Sequence, residues 1–276
     1  MLSEKDSLTA DMHTHTSHSV DGKCSPDELC RAAFERGIGA INISDHCDVN
    51  RDGELDCFGD SSASVRDALR LKREYAGRMK VLAGIEMGNA HWNPGLAKRC
   101  MAIEGIDCVT GSVHRLRYEG ELYVTTKADF AHMPPELISE LVRYYFEEIQ
   151  LMLDITRPDI LAHPTYLLRY IVGWHHVSVD IADYSDFVDR ILRRVISDGV
   201  ALEVNTQSVR DRLAGYDIYL LERYFGLGGR LITLGSDAHS TDRIANGFGI
   251  AAAELRRIGF KSACYIENRA IKSYKL

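Results

Sequence analysis

Seven times along this chain a short apolar run of strand-like length ends in a side chain able to hold a metal ion. The runs close on His13, His46, Glu86, His114, His163, Asn205 and Asp237, with His15 and His239 two residues beyond the first and the last. Helix-patterned segments separate most of these runs, and strands alternating with helices make a parallel sheet with right-handed crossovers. If such a sheet closes on itself, all the downstream ends share one mouth. An open doubly wound sheet spreads the same ends along a line, where fewer candidate ligands meet, so a closed α/β barrel is the expected architecture. In Asp11-Met12-His13-Thr14-His15 the two imidazoles are one alternation apart and point to one side. Such a pair is common by chance; its weight comes from the other runs that answer it.

Several helix ends are readable. Ser25 as N-cap, Pro26 at the first helical position, Asp27 and Glu28 in the first turn and Gly37 at the end mark the first helix. A second is expected over 64–78 and a short one over 96–104. Pro134-Pro135 opens a long helix whose Leu137, Leu141, Tyr145, Ile149 and Met152 recur at steps of three and four. Others are expected over 181–198, 216–225 and 251–257. Residues 47–63, rich in Asp and Gly, read as a loop over the strand end, 115–133 as a charged excursion, and 263–266 as a candidate closing strand. Neither a repeat nor a linker divides the chain, and residues 1–276 are expected to form one domain.

Composition narrows the function classes. With 45% hydrophobic residues in 276, a large core is available. A net charge of −7 argues against broad binding to nucleic acid or an anionic membrane. The seven cysteines, at 24, 30, 47, 57, 100, 108 and 264, include no CxxC pair and read as reduced thiols. No run approaches the ~20 apolar residues of a membrane span, and MLSEKDSLTA lacks the pattern of a secretion signal. The expectation is a soluble, cytoplasmic protein, its oligomeric state left open.

HTHT at 13–16, SDH at 44–46, GIE at 84–86, GSVH at 111–114, AHP at 162–164, LEVNT at 202–206 and GSDAH at 235–239 resemble, in order, the motifs of the PHP (polymerase and histidinol phosphatase) superfamily. GGRLITLGSDAH, GFGIAAAELRRIGF and YIENR resemble its histidinol-phosphate phosphatase branch. The resemblance implies a distorted seven-stranded (βα) TIM-like barrel with three divalent metal ions, Zn, Mn or Fe. Carried over by position, His13, His15, Glu86 and Asp237 hold one ion, Glu86 bridges to a second held by His114 and His163, and His46 and His239 hold a third. The remaining ligand of the third ion, a histidine in some relatives, falls on Asp21. Carboxylates suit Mn or Fe as well as Zn, so the change is conservative. His18, in the same loop, is the alternative.

Phosphate monoester hydrolysis asks for such an assembly on chemical grounds. A nucleophile must approach an anion and an alkoxide must leave, so clustered positive charge is needed. Adjacent metals meet that need by lowering the pKa of a bridging water and by coordinating phosphoryl oxygens. Glu86 is then essential as the bridge, and Asp237, His239 or a water carries the leaving-group proton. Arg210 stands where the phosphatase branch has an arginine after its LEVNT-like strand, and it is the first candidate for bidentate phosphate binding. Arg169 and Arg115 follow, although the branch tends to have an aromatic where Arg115 stands. Glu203 reads as a supporting or core-facing residue, Asp45 as orienting an imidazole or capping a loop, and His91, His132, His175 and His176 as surface groups. Packing is the default for Trp92 and Trp174.

Three functions fit this pattern. One is hydrolysis of L-histidinol phosphate in histidine biosynthesis, which calls for a carboxylate near the substrate mouth to hold an amino group. A second is the same chemistry on another small phosphate, such as a nucleotide or sugar phosphate. A third is a non-catalytic metal-binding module, against which the full ligand set argues.

Overall fold

The computed structural model describes residues 9–50 and 58–276. Leu8, where the apolar run that closes on His13 is expected to begin, and residues 51–57 of the expected loop lie outside these. In chain order the first half contains β1 (Ala10–Thr14), α1 (Pro26–Glu35), β2 (Ala40–Ile43), α2 (Phe58–Glu74), β3 (Lys80–Gly88), α3 (Pro94–Met101), β4 (Cys108–Ser112), β5 (Arg115–Tyr118) and β6 (Glu121–Val124). The second half contains α4 (Pro135–Thr156), β7 (Ile160–Leu161), α5 (Tyr166–Leu168), α6 (Ser185–Asp198), β8 (Ala201–Asn205), α7 (Gly215–Gly226), β9 (Ile232–Gly235), α8 (Phe248–Ile258), β10 (Ser262–Glu267) and β11 (Ala270–Lys275). A π-helical turn, Arg169–Trp174, extends α5.

One parallel sheet runs in the order β1-β2-β3-β4-β7-β8-β9. Its ends meet through the residues that follow them: the Asp237 amide donates to the His13 carbonyl and the His15 amide to the Ala238 carbonyl, each at 2.8 Å. The expected barrel is therefore closed by the backbone of its own first and last ligand motifs. Ala10, Ala40, Leu82, Cys108, Ile160 and Ala201, near the strand starts, fill the lower interior, and Cys264, Tyr265 and Ile266 pack beneath them. Further along β3 the same alternation carries Glu86 into the upper interior. The larger apolar core lies outside the sheet, where Ile41, Val81, Ile85 and Val109 meet Leu29, Leu71, Leu141 and Leu192 of the surrounding helices.

Local chemistry explains the helix ends. Ser25 and Glu28 form a reciprocal capping box, with Glu28 N to Ser25 Oγ at 3.3 Å and Ser25 N to Glu28 Oε2 at 2.8 Å. On α4 the stripe predicted from periodicity is buried at Leu141, Tyr145, Ile149 and Met152, although Leu137 is only partly so.

Three expectations need correction. Residues 263–266 do not close the barrel: they belong to β10, which pairs antiparallel with β11. That hairpin lies under the barrel, tied by Cys264 Sγ to Ile232 O and Asn268 N to Asp107 Oδ1; the edge of β1 is taken by the chain after β9. The excursion after His114 contains an ordered hairpin of β5 and β6, turned by Glu119 and Gly120 at φ 50° and 83°. A two-residue turn with both φ values positive fits strand twist, but Glu-Gly is a weaker signal of it than Asn-Gly. Finally, α2 starts at Phe58, so 58–63 is helix rather than loop.

Replacing Leu141 by Ala deletes a fully buried side chain from the layer between α4 and the sheet. Denaturant unfolding should show a loss of about 2–5 kcal/mol; a change below ~1 kcal/mol would mean that this layer can collapse around the void.

Candidate metal centre and the adjoining cleft

The strand ends converge on Glu86. Its buried carboxylate has His46 Nδ1 at 2.8 Å, His163 Nε2 at 2.9 Å, His114 Nε2 at 3.1 Å, His13 Nε2 at 3.4 Å and His15 Nε2 at 3.6 Å. These imidazoles come from the ends of β1, β2, β4 and β7, so barrel closure itself brings them together. Asp237 adjoins the group, with Oδ1 3.3 Å from His15 Nε2 and 3.7 Å from His239 Nδ1. Asp21 bridges the outer pair: its Oδ2 is 3.1 Å from His239 Nε2 and its Oδ1 3.7 Å from His46 Nε2. His18 instead pairs with Asp67 of α2 at 3.0 Å, and of the two candidate ligands in that loop Asp21 is the one beside His46 and His239. His163 and Asp237 adopt positive φ, 23° and 52°, sparsely populated values for residues other than glycine that are concentrated at functional sites.

A second layer of polar groups fixes the rings. Glu203 Oε1 is 2.6 Å from His13 Nδ1, and Glu203 Oε2 accepts the His163 amide at 2.8 Å. Asp48 Oδ2 is 2.8 Å from His114 Nδ1. Ser19 Oγ lies 3.2 Å from His15 Nδ1 and donates to Asp45 at 2.7 Å, so Asp45 orients an imidazole through a hydroxyl while also holding the Thr16 amide. Two glycines make this layer sterically feasible. A Cβ on Gly235 would collide with the Glu203 carboxylate and with His13, and one on Gly88 with the Asp48 carboxylate. The sequence reading missed Asp48; its spacing two residues after His46 was the available signal.

The electrostatics report a cluster short of positive charge. Burial opposes ionisation of Glu86, yet His114, His13 and His46 hold its pKa well below the usual carboxylate range. Against the same burial, Glu86 and Asp21 hold His46 well above the usual imidazole range, and Asp48 and Glu86 push His114 up to about 9. His15 is forced down to about 4 by burial and by His239 and His46. Buried His13 Nε2 and His15 Nε2 have no hydrogen-bond partner. Such imidazole nitrogens without partners, converging on a buried carboxylate, fit divalent cations.

Beside the cluster opens a cleft of about 680 Å³. Arg169 enters it from the π-helical turn, its guanidinium 2.6 Å from Gln207 Oε1, 2.7 Å from Asn205 Oδ1 and 3.6 Å from Asp237 Oδ2. Asn205 in turn donates to Glu203 and Asp237, each at 3.2 Å. Arg210 is exposed and lines the same cleft, while Arg115, on β5, does not line it. Of the two arginines, the one ranked second from sequence is thus the one that reaches the cluster. Trp174 stands 71% exposed on the cleft wall. His91, expected at the surface, is instead paired with Glu148 of α4 at 2.5 Å, beside Trp92, whose Nε1 donates to the same oxygen at 3.1 Å.

A model described as the PHP domain matches residues 11–207. A protein of Clostridium acetobutylicum called a probable histidinol-phosphatase is 27% identical, across 96% of this chain and 99% of its own. A likewise named protein of Thermotoga maritima is 27% identical across 91% and 93%. The crystal structure of histidinol phosphate phosphatase from Lactococcus lactis, complexed with zinc, L-histidinol and phosphate, superposes with a TM-score of 0.74 at 21% identity, covering 96% of this chain and 98% of that one.

Two measurements probe the cluster. Glu203→Gln removes the carboxylate behind His13, and metal affinity should fall by about 10- to 100-fold in a chelator competition; unchanged affinity would make Glu203 a packing residue. The second uses metal-free protein. A pKa of about 9 for His114 lies above the ~6.5 of an unfolded imidazole, so its contribution is complete below the unfolded value and lost as pH rises through the folded one. Chelator-treated protein should therefore melt at a lower temperature near pH 9 than near pH 6.5; a higher one would mean that His114 is neutral.

Proposed function

The chain belongs to the PHP domain family, and from that premise we propose that it is a metal-dependent histidinol-phosphatase, hydrolysing L-histidinol phosphate to L-histidinol and phosphate. The observation that carries this reading is the convergence of five imidazole nitrogens within 3.6 Å of buried Glu86, next to an arginine-bearing cleft. Relatives named histidinol-phosphatase, aligned over most of the chain, support the substrate. The reaction is hydrolysis of a phosphoric monoester, and it belongs to histidine biosynthesis.

The chain binds divalent metal, and three ions fit its donor set. His13, His15, Glu86 and Asp237 would hold one; Glu86, His114 and His163 a second; His46, His239 and Asp21 a third. When bound, the ions supply positive charge that acidifies water and offsets the charge of the phosphoryl oxygens. Zinc is the first metal to test, since the Lactococcus lactis structure contains it.

The side chains divide the remaining work. Glu203, Ser19 and Asp48 hold the Nδ1 atoms of His13, His15 and His114 and so aim each Nε2 at the centre. Arg169, whose two terminal nitrogens are held by Gln207 and Asn205, offers its charge and its remaining N–H groups to the phosphate, and Arg210 extends that grip outward. Asp237 Oδ2, beside Asn205 and Arg169, faces the cleft side of the cluster; its carboxylate, held ionised against its burial by His13, His15 and His239, takes the proton of the attacking water and hands it to the leaving alkoxide. His239 is held through its Nδ1, 2.9 Å from the Asp237 carbonyl.

Phosphate release from Zn- or Mn-reconstituted protein tests the assignment, with L-histidinol phosphate set against nucleotides, sugar phosphates and p-nitrophenyl phosphate. The expected result is a kcat/KM for L-histidinol phosphate at least tens of times above the others. Broad, weak turnover would keep the chemistry and reject the substrate, and no turnover with metal bound would restore the non-catalytic module. Glu86→Ala should lower both metal content and turnover, the latter on the order of 10²–10³-fold or more, because the charge holding the ions together is gone. Full turnover in that variant would sink the trinuclear reading.

A further inference from the structure

Charge is distributed unevenly around the cleft. Arg169, Arg210, Arg212 and Arg243 contribute to its lining, and among the described lining residues Asp217 is the one carboxylate. Asp217 lies in the first turn of α7, where Thr165 Oγ donates to its Oδ1 at 2.5 Å. Arg169, the cation whose field it feels, is already engaged with Gln207, Asn205 and Asp237. Burial pushes the Asp217 pKa up to about 6, with Thr165 and Arg169 offsetting part of the rise. It is therefore mostly ionised at neutral pH, at an electrostatic cost that a cation placed in the cleft would relieve. A negative charge in the first turn of a helix is only weakly favoured by the helix itself, and that role does not call for a place on the cleft wall.

A phosphate ester that also carries an amino group presents the matching pair of charges. The arginines suit the phosphate, and one carboxylate suits the ammonium. We propose that Asp217 is the specificity-determining residue of this cleft, pairing with the primary ammonium of the substrate while the arginines take its phosphate. The proposal rests on the histidinol-phosphatase reading and deepens it: L-histidinol phosphate bears its ammonium on the carbon next to the ester methylene. A nucleotide or sugar phosphate without an amino group near the ester would leave the Asp217 charge without a cation to offset it, so the same residue rejects them.

The test compares two esters, L-histidinol phosphate and 3-(imidazol-4-yl)propyl phosphate, which has hydrogen in place of the amino group and is otherwise the same. D217N preserves an acceptor for Thr165 and removes the charge. The ratio of kcat/KM for the first ester over the second should fall by about 10- to 100-fold in D217N, the scale of one lost charge-assisted hydrogen bond. An unchanged ratio overturns the proposal, whether both esters slow together, as they would if Asp217 merely tethered α7 through Thr165, or neither does. Calorimetric titration of the metal-loaded protein with L-histidinol and with imidazolepropanol separates this failure from failure of the substrate assignment. If the wild-type protein turns over other monoesters but not L-histidinol phosphate, the substrate assignment falls. In that case tighter binding of L-histidinol than of imidazolepropanol, abolished in D217N, retains the ammonium site, and equal binding of the two removes it.

Discussion

A buried carboxylate has to be matched by positive charge or become protonated, and Glu86 is the place where this protein meets that constraint. Its partners are imidazoles from strand ends up to 77 positions away in the chain. None of them reaches Glu86 unless the strands pair in one order and the sheet closes. Closure in turn uses the backbone of the same motifs, His13 with Asp237 and His15 with Ala238. The barrel and the centre are thus one structural event: the hydrogen bonds that shut the sheet also set the spacing of the ligands.

Around that centre the chain trades side-chain volume for orientation. Glycine at 235 leaves room for the Glu203 carboxylate behind His13, and glycine at 88 leaves room for Asp48 behind His114. His13 and His114, and His15 through Ser19, then have one nitrogen fixed from behind and the other turned inward, the arrangement that a site for several cations needs. Without the cations, protons on His46 and His114 supply part of the missing charge, which is why their pKa values lie above the ordinary range while that of Glu86 lies below it.

Elements outside the barrel decide what enters. The π-helical turn carries Arg169 and Trp174 to the cleft, and the segment after β8 brings Gln207 and Arg210. Asn205, at the end of β8, joins cluster and cleft by binding Glu203, Asp237 and Arg169 at once. A change in the cleft can therefore be felt at the cluster through a single amide side chain.

Much of this was legible from residues alone. Strand and helix periodicities are local, so the alternating elements, the capped start at Ser25 and the ligand candidates at the strand ends could be read without knowing how they meet. Residues joined only across strands could not. Asp48 becomes significant once β2 and β4 bring His114 to it, and the reach of Arg169 depends on a π-helical turn that no spacing announced. Whether 263–266 closed the barrel was undecidable locally, because an apolar strand fits either a sheet edge or a barrel floor. The sequence by itself determined which side chains alternate onto the interior of each strand, since that follows from backbone geometry with a period of two. The tertiary structure decided the order of the strands, the closure and the polar groups behind the ligands, because these depend on register between segments far apart in the chain.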